Sequence, residues 1–416
     1  MSKSPRSAYV HIPFCHRRCF YCDFSIVPIG DNVSSLNGKG SQMIKNYLTF
    51  LKKEILSIKH KSPLSTIYIG GGTPSILDPI QIAELIEIFK NYYGIDYGAE
   101  ITMEVDPASF MEDDLLGFIK AGINRFSLGA QSFNNQILLE AGRRHTSKDV
   151  ENSCNWLRRA KNCSLIKSWS VDLIQNLPGS EILIWQKDLE RTISFDPPHI
   201  SIYDLNIEEG TVFQQLQDLG KLPLPSNEES FENSQITSKI LKDSGYLRYE
   251  ISNYSLSGHQ SRHNRVYWKG KGWWSFGQGS TSSPWGVRFS RPRNSNDYIN
   301  WVTDQCEKEL EKSLLKSSEI NLELDERIML GLRTREGINI KKLFIEEGWT
   351  EDSADKFMKK LLSIWQKYRD GELLKNEGDR FFLSDPKGME LSNQILIAMF
   401  AWWEKINLVS LKKSIP

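Results

Sequence analysis

Net charge is missing from this sequence: 52 Lys and Arg are balanced by 52 Asp and Glu. No overall field steers the chain toward nucleic acid or an anionic membrane, and any basic partner surface is local. Cysteine is scarce, six in 416 residues, too few for a disulfide framework in a chain this long. Long apolar runs are missing as well. The longest, Ile395 to Trp403, is far short of the roughly 20 residues that span a bilayer and reads as a buried terminal helix. The N-terminus, MSKSPRSAYVHIPFC, is basic but lacks the apolar stretch of roughly 7–15 residues that a signal peptide needs, so the chain is expected in the cytoplasm without a transmembrane segment. No repeat or low-complexity block stands out. What is present, 39% hydrophobic residues and 28 Gly, matches the roughly 45–50% apolar share of soluble globular chains. At about 150 residues per domain, the length allows two to three domains.

Alternating and β-branched residues predict strands at Ala8 to Ile12, Thr66 to Gly70, Glu100 to Val105, Arg125 to Ala130, Ser170 to Leu173 and Ile200 to Leu205. Apolar residues three and four apart predict helices at Gln42 to Lys59, Pro79 to Tyr92, Met111 to Lys120, Lys148 to Arg159 and Glu181 to Ser194. Strand and helix alternating in series imply an α/β fold with a parallel sheet, a partial or complete (β/α) barrel, with functional residues at the C-terminal strand ends. After Leu205 the rhythm changes. Gly220 to Asn227 reads as a linker, followed by a helix over Ser230 to Asp243 and a strand over Tyr246 to Tyr254. From Ile251 to Asn296 there is no Asp or Glu, while Arg, Lys, Trp and Gly alternate densely. From Leu322 three helical patterns precede two strand-like runs around a turn, Glu372 to Leu383, as in a small winged-helix-like α+β domain. The expected division is a barrel over 1–219, a C-terminal extension over 220–320 and the winged-helix-like domain over 321–416.

Three of the six cysteines crowd into one run, HIPFCHRRCFYCDF, as Cys15, Cys19 and Cys22 on a loop directly after the first strand. Three thiolates in C-x3-C-x2-C spacing would leave one iron of a cubane cluster open to an outside ligand. The blander alternative is a zinc site completed by His11 or His16. Cys154, Cys163 and Cys306 read as small apolar residues. At successive strand ends stand Gly70-Gly71-Gly72-Thr73-Pro74, Glu104, Gln131 with Arg143 shortly after, and Asp172. Alone, the glycines mark a turn, and each polar residue is more often a solvated or packing side chain.

The thiol spacing, with the aromatic Tyr21 before the last cysteine, resembles the signature of radical S-adenosylmethionine (SAM) proteins. With Tyr9, the strand-end residues resemble the SAM-binding set of those related to oxygen-independent coproporphyrinogen III oxidase. The resemblance implies a [4Fe-4S] cluster whose open iron is chelated by the amino and carboxylate groups of SAM, with reductive cleavage to a 5′-deoxyadenosyl radical, chemistry that belongs to the cofactor. It further implies that Gly71, Gly72 and Thr73 contact the methionine part, Arg143 its carboxylate, and Glu104, Gln131 and Asp172 the ribose and neighbouring polar atoms.

Two departures separate the sequence from the coproporphyrinogen dehydrogenases. Phe24 stands where those enzymes have a further cysteine, and Cys15 follows the start almost immediately, without their long N-terminal extension. Both features resemble the HemW family of heme chaperones, which implies heme or porphyrin as ligand, hemoproteins as recipients and an electron donor as partner. His263-Asn264 and Tyr267-Trp268 match the H-N-x-x-Y-W motif associated with heme in that family. Independently, His263 is a possible axial ligand, aromatic rings can cover a macrocycle, and Arg262, Arg265, Lys269 and Lys271 can pair with propionates. The same interleaving of cations and rings would suit single-stranded nucleic acid in an RNA-modifying enzyme. Confinement of basic character to one short segment of a neutral chain weighs against that rival.

Overall fold

The structure, a computed structural model, describes residues 4–30, 39–59, 61–304, 306, 308 and 322–405. Its main sheet has nine strands: β1 Ser7–Ile12, β2 Leu64–Gly71, β3 Ile95–Val105, β4 Arg125–Gln131, β5 Ser168–Gln175, β6 His199–Asp204, β7 Leu247–Arg248, β8 Asn253–Ser255 and β9 Trp274–Phe276. They are ordered β9-β1-β2-β3-β4-β5-β6-β8-β7. Pairing is parallel from β9 through β6, and β8 and β7 add antiparallel at the far end. The six predicted strands are therefore β1 to β6 in sequence order, joined through helices as parallel neighbours require.

Two period-two patterns divide the strands between a dry face and a polar one. Val10, Ile67, Ile69, Met103, Leu128 and Val171 are fully or almost fully shielded and pack against the surrounding helices. The alternate residues face a lumen and bond to one another across it: Tyr68 donates to Glu104 at 2.8 Å and Ser127 donates to Asp172 at 2.6 Å. Glu104 on β3 and Tyr203 on β6, three strands away, line one cavity, which marks the sheet as curled into a partial barrel.

The segment after β6 departs from the expectation in two ways. Tyr246 to Tyr254 is two short strands rather than one. Trp274–Phe276, inside the acid-free segment, is a further parallel strand that pairs with β1 and extends the sheet on that side. The chain beyond it is anchored to the helix Lys39–Ser57 through a buried ion pair between Arg291 and Glu54 at 2.7 Å.

The C-terminal part builds a second core around Ile328, Phe344, Phe357, Leu361, Trp365 and Met399. Helices Leu324–Leu332, Ile340–Glu346 and Glu351–Asp370 precede a hairpin, Leu374–Glu377 with Arg380–Leu383, and a third short strand, Ile338–Asn339, joins its edge. Arg248 ties it to the barrel, donating to Glu390 at 2.8 Å and Asp385 at 3.2 Å. The apolar run Ile395 to Trp403 lies within the helix Ser392–Trp403. The proposed boundary at 320/321 lies outside the described residues. Among the described residues no helix is long and apolar enough to cross a membrane.

Candidate cluster and cofactor site

The C-terminal ends of β2 to β6 open into a cavity of about 440 Å³ walled by the loop that carries Cys15, Cys19 and Cys22. All three thiols are free and partly exposed. The loop is shaped by backbone bonds from Cys22 N to the Cys19 carbonyl and from Ile29 N to the Cys15 carbonyl. Thr73 Oγ1 donates to Cys15 Sγ at 3.4 Å, and Arg143 Nη1 donates to Cys19 Sγ at 3.4 Å. Burial pushes the Cys15 thiol up to about 12 and raises that of Cys22, because charging a thiol away from water is costly without a cation beside it. A bound metal cluster would supply that cation.

The glycines at the end of β2 are required by close approach. A Cβ on Gly72 would lie 2.7 Å from the Phe14 carbonyl oxygen and 2.9 Å from Cys15 Sγ, and one on Gly71, where φ is +113°, would lie 2.5 Å from the His11 ring. Only residues without a side chain let this strand end meet the thiol loop. Gln131 enters the same cavity from the end of β4 with φ +66°, at a register shift against β5. A left-handed non-glycine residue is a strained choice of the kind found at functional sites.

Buried carboxylates line the rest. Glu104 accepts from the Tyr68 hydroxyl and from Gly71 N at 3.0 Å, and burial raises its carboxyl to about 7. Asp172 is likewise raised by burial, against donation from Ser127, Ser201 and Ser170. Burial alone would raise Asp106 as well, but the Arg143 guanidinium and His145 outweigh it and hold that carboxyl well below its usual range.

The sequence-predicted residues Cys15, Cys19, Tyr21, Cys22, Gly71, Gly72, Thr73, Glu104, Gln131, Arg143 and Asp172 therefore come together around one cavity. Tyr9 does not line it; it lies beneath, its ring stacked on Tyr68 and its hydroxyl bonded to His11 Nδ1 at 3.0 Å. Arg143 is already engaged, by an ion pair to Asp106 and a bond to the Gly129 carbonyl, and only its buried Nε is unpartnered. Asp106, Tyr203 and Arg144 also line the cavity, and the sequence reading did not select them. Asp106 stands two residues past Glu104 in the same EVDP run, and Arg144 adjoins Arg143.

Of the two histidines expected for the zinc alternative, His11 has both ring nitrogens engaged. His11 donates Nε2–H to the Ser25 carbonyl and accepts at Nδ1 from the Tyr9 hydroxyl, while His16 Nδ1 is held at the Gly30 carbonyl. Among the described residues no three His, Cys, Asp or Glu converge to hold a single metal ion. Cys154 and Cys306 are buried as expected, but Cys163 is exposed, because it caps the helix Ser147–Asn162 at its solvent end.

The H-N-x-x-Y-W motif is distributed over several faces rather than assembled around one ligand. His263 is 1% exposed, and its ring bonds Thr66 Oγ1 through Nδ1 and Tyr267 Oη through Nε2, both at 2.8 Å. Its backbone N–H, at the start of the helix Asn264–Trp268, donates to Glu100 at 3.0 Å, satisfying a donor that a helix start leaves open. As folded, both imidazole nitrogens of this expected axial ligand are engaged in hydrogen bonds. Tyr267 lines a cavity beside the thiol loop, Arg262, Arg265, Lys269 and Lys271 line a second near the start of β2, and Trp268 faces a third toward the C-terminal part.

A parallel partial barrel whose strand ends converge on a three-thiol loop defines the class, and residues 9–179 match the Radical SAM superfamily. The chain is 35% identical over 414 residues to the heme chaperone HemW of Synechocystis sp., covering 96% of this chain and 98% of that protein. It is 32% identical to the heme chaperone HemW of Lactococcus lactis, covering 95% and 97%. The chain belongs to the HemW family of heme chaperones within the radical SAM superfamily. In fold it is similar to coproporphyrinogen III oxidase (HemN) from Escherichia coli, with TM-score 0.77, 20% identity, and coverage of 95% of this chain and 90% of that one.

Proposed function

We propose that this protein is a cytoplasmic heme chaperone that binds a [4Fe-4S] cluster, SAM and heme, and passes heme to recipient hemoproteins. The observation that carries the reading is the near full-length kinship with HemW relatives, joined to a cavity whose donors suit the cofactors. Cys15, Cys19 and Cys22 would hold the cluster, whose fourth iron would serve SAM. Gly71, Gly72 and Thr73 would admit the methionine part by their bareness and close backbone, with Glu104, Gln131 and Asp172 as hydrogen-bond partners for hydroxyl and amino groups. Arg143 would reach a carboxylate through Nε while Asp106 holds its other edge, an arrangement a planar five-donor group permits. When bound, cluster and SAM supply one-electron chemistry; the chain's residues bind, orient and shield them. An external electron donor is part of this reading.

The test is anaerobic reconstitution followed by parallel assays on one preparation. The reading expects about four iron per chain, a Soret shift on adding hemin, and no protoporphyrinogen from coproporphyrinogen III with SAM and reductant. Cys19→Ala should abolish the iron. Decarboxylation without hemin binding would replace the reading with that of an oxidase, and retention of RNA with strong salt dependence and no Soret change would replace it with that of an RNA enzyme.

A further inference from the structure

Two cavities stand back to back at the thiol loop. The second, about 340 Å³, lies outside the cluster cavity and shares Asp23 and Phe24 with it. His11 stands between them. It lines the second cavity, while its ring is what a Cβ on Gly71, in the wall of the first, would strike at 2.5 Å.

The far wall comes from the acid-free segment. Tyr267 packs edge-on against Trp273, ring centroids 4.7 Å apart. Trp273 is fixed by its indole N–H to the Thr281 carbonyl at 2.8 Å, and Tyr267 by His263. Gly279, at φ +69°, lets the following turn close on the thiol loop, since a Cβ there would fall 2.5 Å from Ser25 Cβ. The rim is different. Phe24 is 56% exposed, a large ring left in water two residues after the last cluster thiol. The Arg293 side chain is 67% exposed, and its Nη2 donates to the Asp23 backbone carbonyl while standing 3.9 Å from the Asp23 carboxylate, so its other donors face the mouth.

A slot with hydrogen-bonded aromatic rings on one wall, an exposed aromatic ring at its lip and an exposed guanidinium at its mouth suits a flat apolar ring system with a peripheral carboxylate. We infer that the porphyrin macrocycle of heme docks in this cavity, its faces against Phe24 and the Tyr267–Trp273 pair and a propionate at Arg293. This rests on the heme reading above and names where the ligand lies. It also gives Phe24 a use: the position that carries cysteine in the related dehydrogenases becomes a ring that covers the ligand. The basic cavity lined by Arg262, Arg265, Lys269 and Lys271 offers charge but no aromatic ring, so it is the weaker alternative.

The test is hemin titration of the full-length reconstituted protein, followed by Soret absorbance, for the parent and for Phe24→Ala, Arg293→Glu and Lys271→Glu. All three side chains are exposed, so folding should survive, with circular dichroism as the check. Phe24→Ala and Arg293→Glu should each weaken hemin about tenfold, the size of one lost stacking or charge-assisted contact. Lys271→Glu should leave affinity within about twofold, since a rim charge away from the ligand is worth little. Iron-free protoporphyrin IX should compete with hemin, because rings and carboxylate are recognised. Parent-like affinity in Phe24→Ala and Arg293→Glu, or loss in Lys271→Glu alone, would overturn the inference and leave the heme reading standing. No hemin binding by the parent would remove both.

Discussion

Arg291 and Glu54, 237 residues apart, form an ion pair at 2.7 Å with both side chains fully shielded from solvent. The second Glu54 oxygen accepts from Gly277 N at 2.8 Å and from the Tyr298 hydroxyl at 2.7 Å. One carboxylate thus fastens the turn after β9 to the helix Lys39–Ser57 and holds in place the wall that carries Trp273. Glu54→Ala would leave a guanidinium buried without its partner, at a cost of about 3–5 kcal/mol. Denaturant unfolding should show that loss, and the double variant Glu54→Leu with Arg291→Met should recover part of it. Equal midpoints for parent and Glu54→Ala would refute the role.

Glu104 makes the apoprotein sensitive to pH. Its carboxyl is raised to about 7 by burial, so the folded state holds the proton more tightly than the unfolded chain. The stabilisation from the protonated form is full below the ordinary carboxyl range and is lost as pH rises through about 7. Between pH 5 and 8 the parent should lose on the order of 2 kcal/mol relative to Glu104→Gln, discounted for the partial exposure of the group. Unfolding of both proteins across that range checks it; parallel curves would show that the shift does not exist.

Arg143 supports a prediction with two readouts. Arg143→Ala should weaken SAM binding by about 1.5–3 kcal/mol, the size of a charged hydrogen bond, with iron content retained. It should also lower stability, because Asp106 loses the guanidinium that holds its carboxyl down. Arg143→Lys keeps the charge but not the fork, and should fall between. Unchanged SAM affinity in Arg143→Ala, measured by equilibrium dialysis, would leave Arg143 as a purely structural partner of Asp106.

Much of the barrel and its site could be read from local pattern, because both follow from it. The helix Pro79–Tyr92 announces its start with Asp78, which caps Ile80 N and shares a capping box with Gln81. The three thiols lie within one loop, Glu104 and Gln131 stand at the ends of their strands, and Asp172 lies in the second half of Ser168–Gln175. The strand Trp274–Phe276 escaped because it is three residues long, all buried, and borrows its stability from β1. The surroundings of His263 were not legible in the same way. Its Nε2 partner Tyr267 lies four residues away, but its Nδ1 partner Thr66 and its backbone N–H partner Glu100 lie 197 and 163 residues away, and no local spacing reveals those two.

His263 gives the sharpest test of what the motif does. Burial lowers its imidazole to about 3, so the folded state excludes a proton that the unfolded chain takes up. Its contribution is complete above the ordinary histidine range and fades as pH falls from about 6.5 toward 3. His263→Gln should therefore flatten the acid side of the stability curve. In hemin titrations the structure separates two roles by different observables. A histidine that only holds Tyr267 in place should, when replaced by alanine, weaken hemin a few-fold while the Soret maximum of the bound form stays where it was, and Tyr267→Phe should act in the same way. A histidine that binds iron should shift the maximum on replacement, whereas Tyr267→Phe should not. The two hydrogen bonds at 2.8 Å predict the first outcome, and a displaced Soret band in His263→Ala alone would restore the imidazole as the axial ligand.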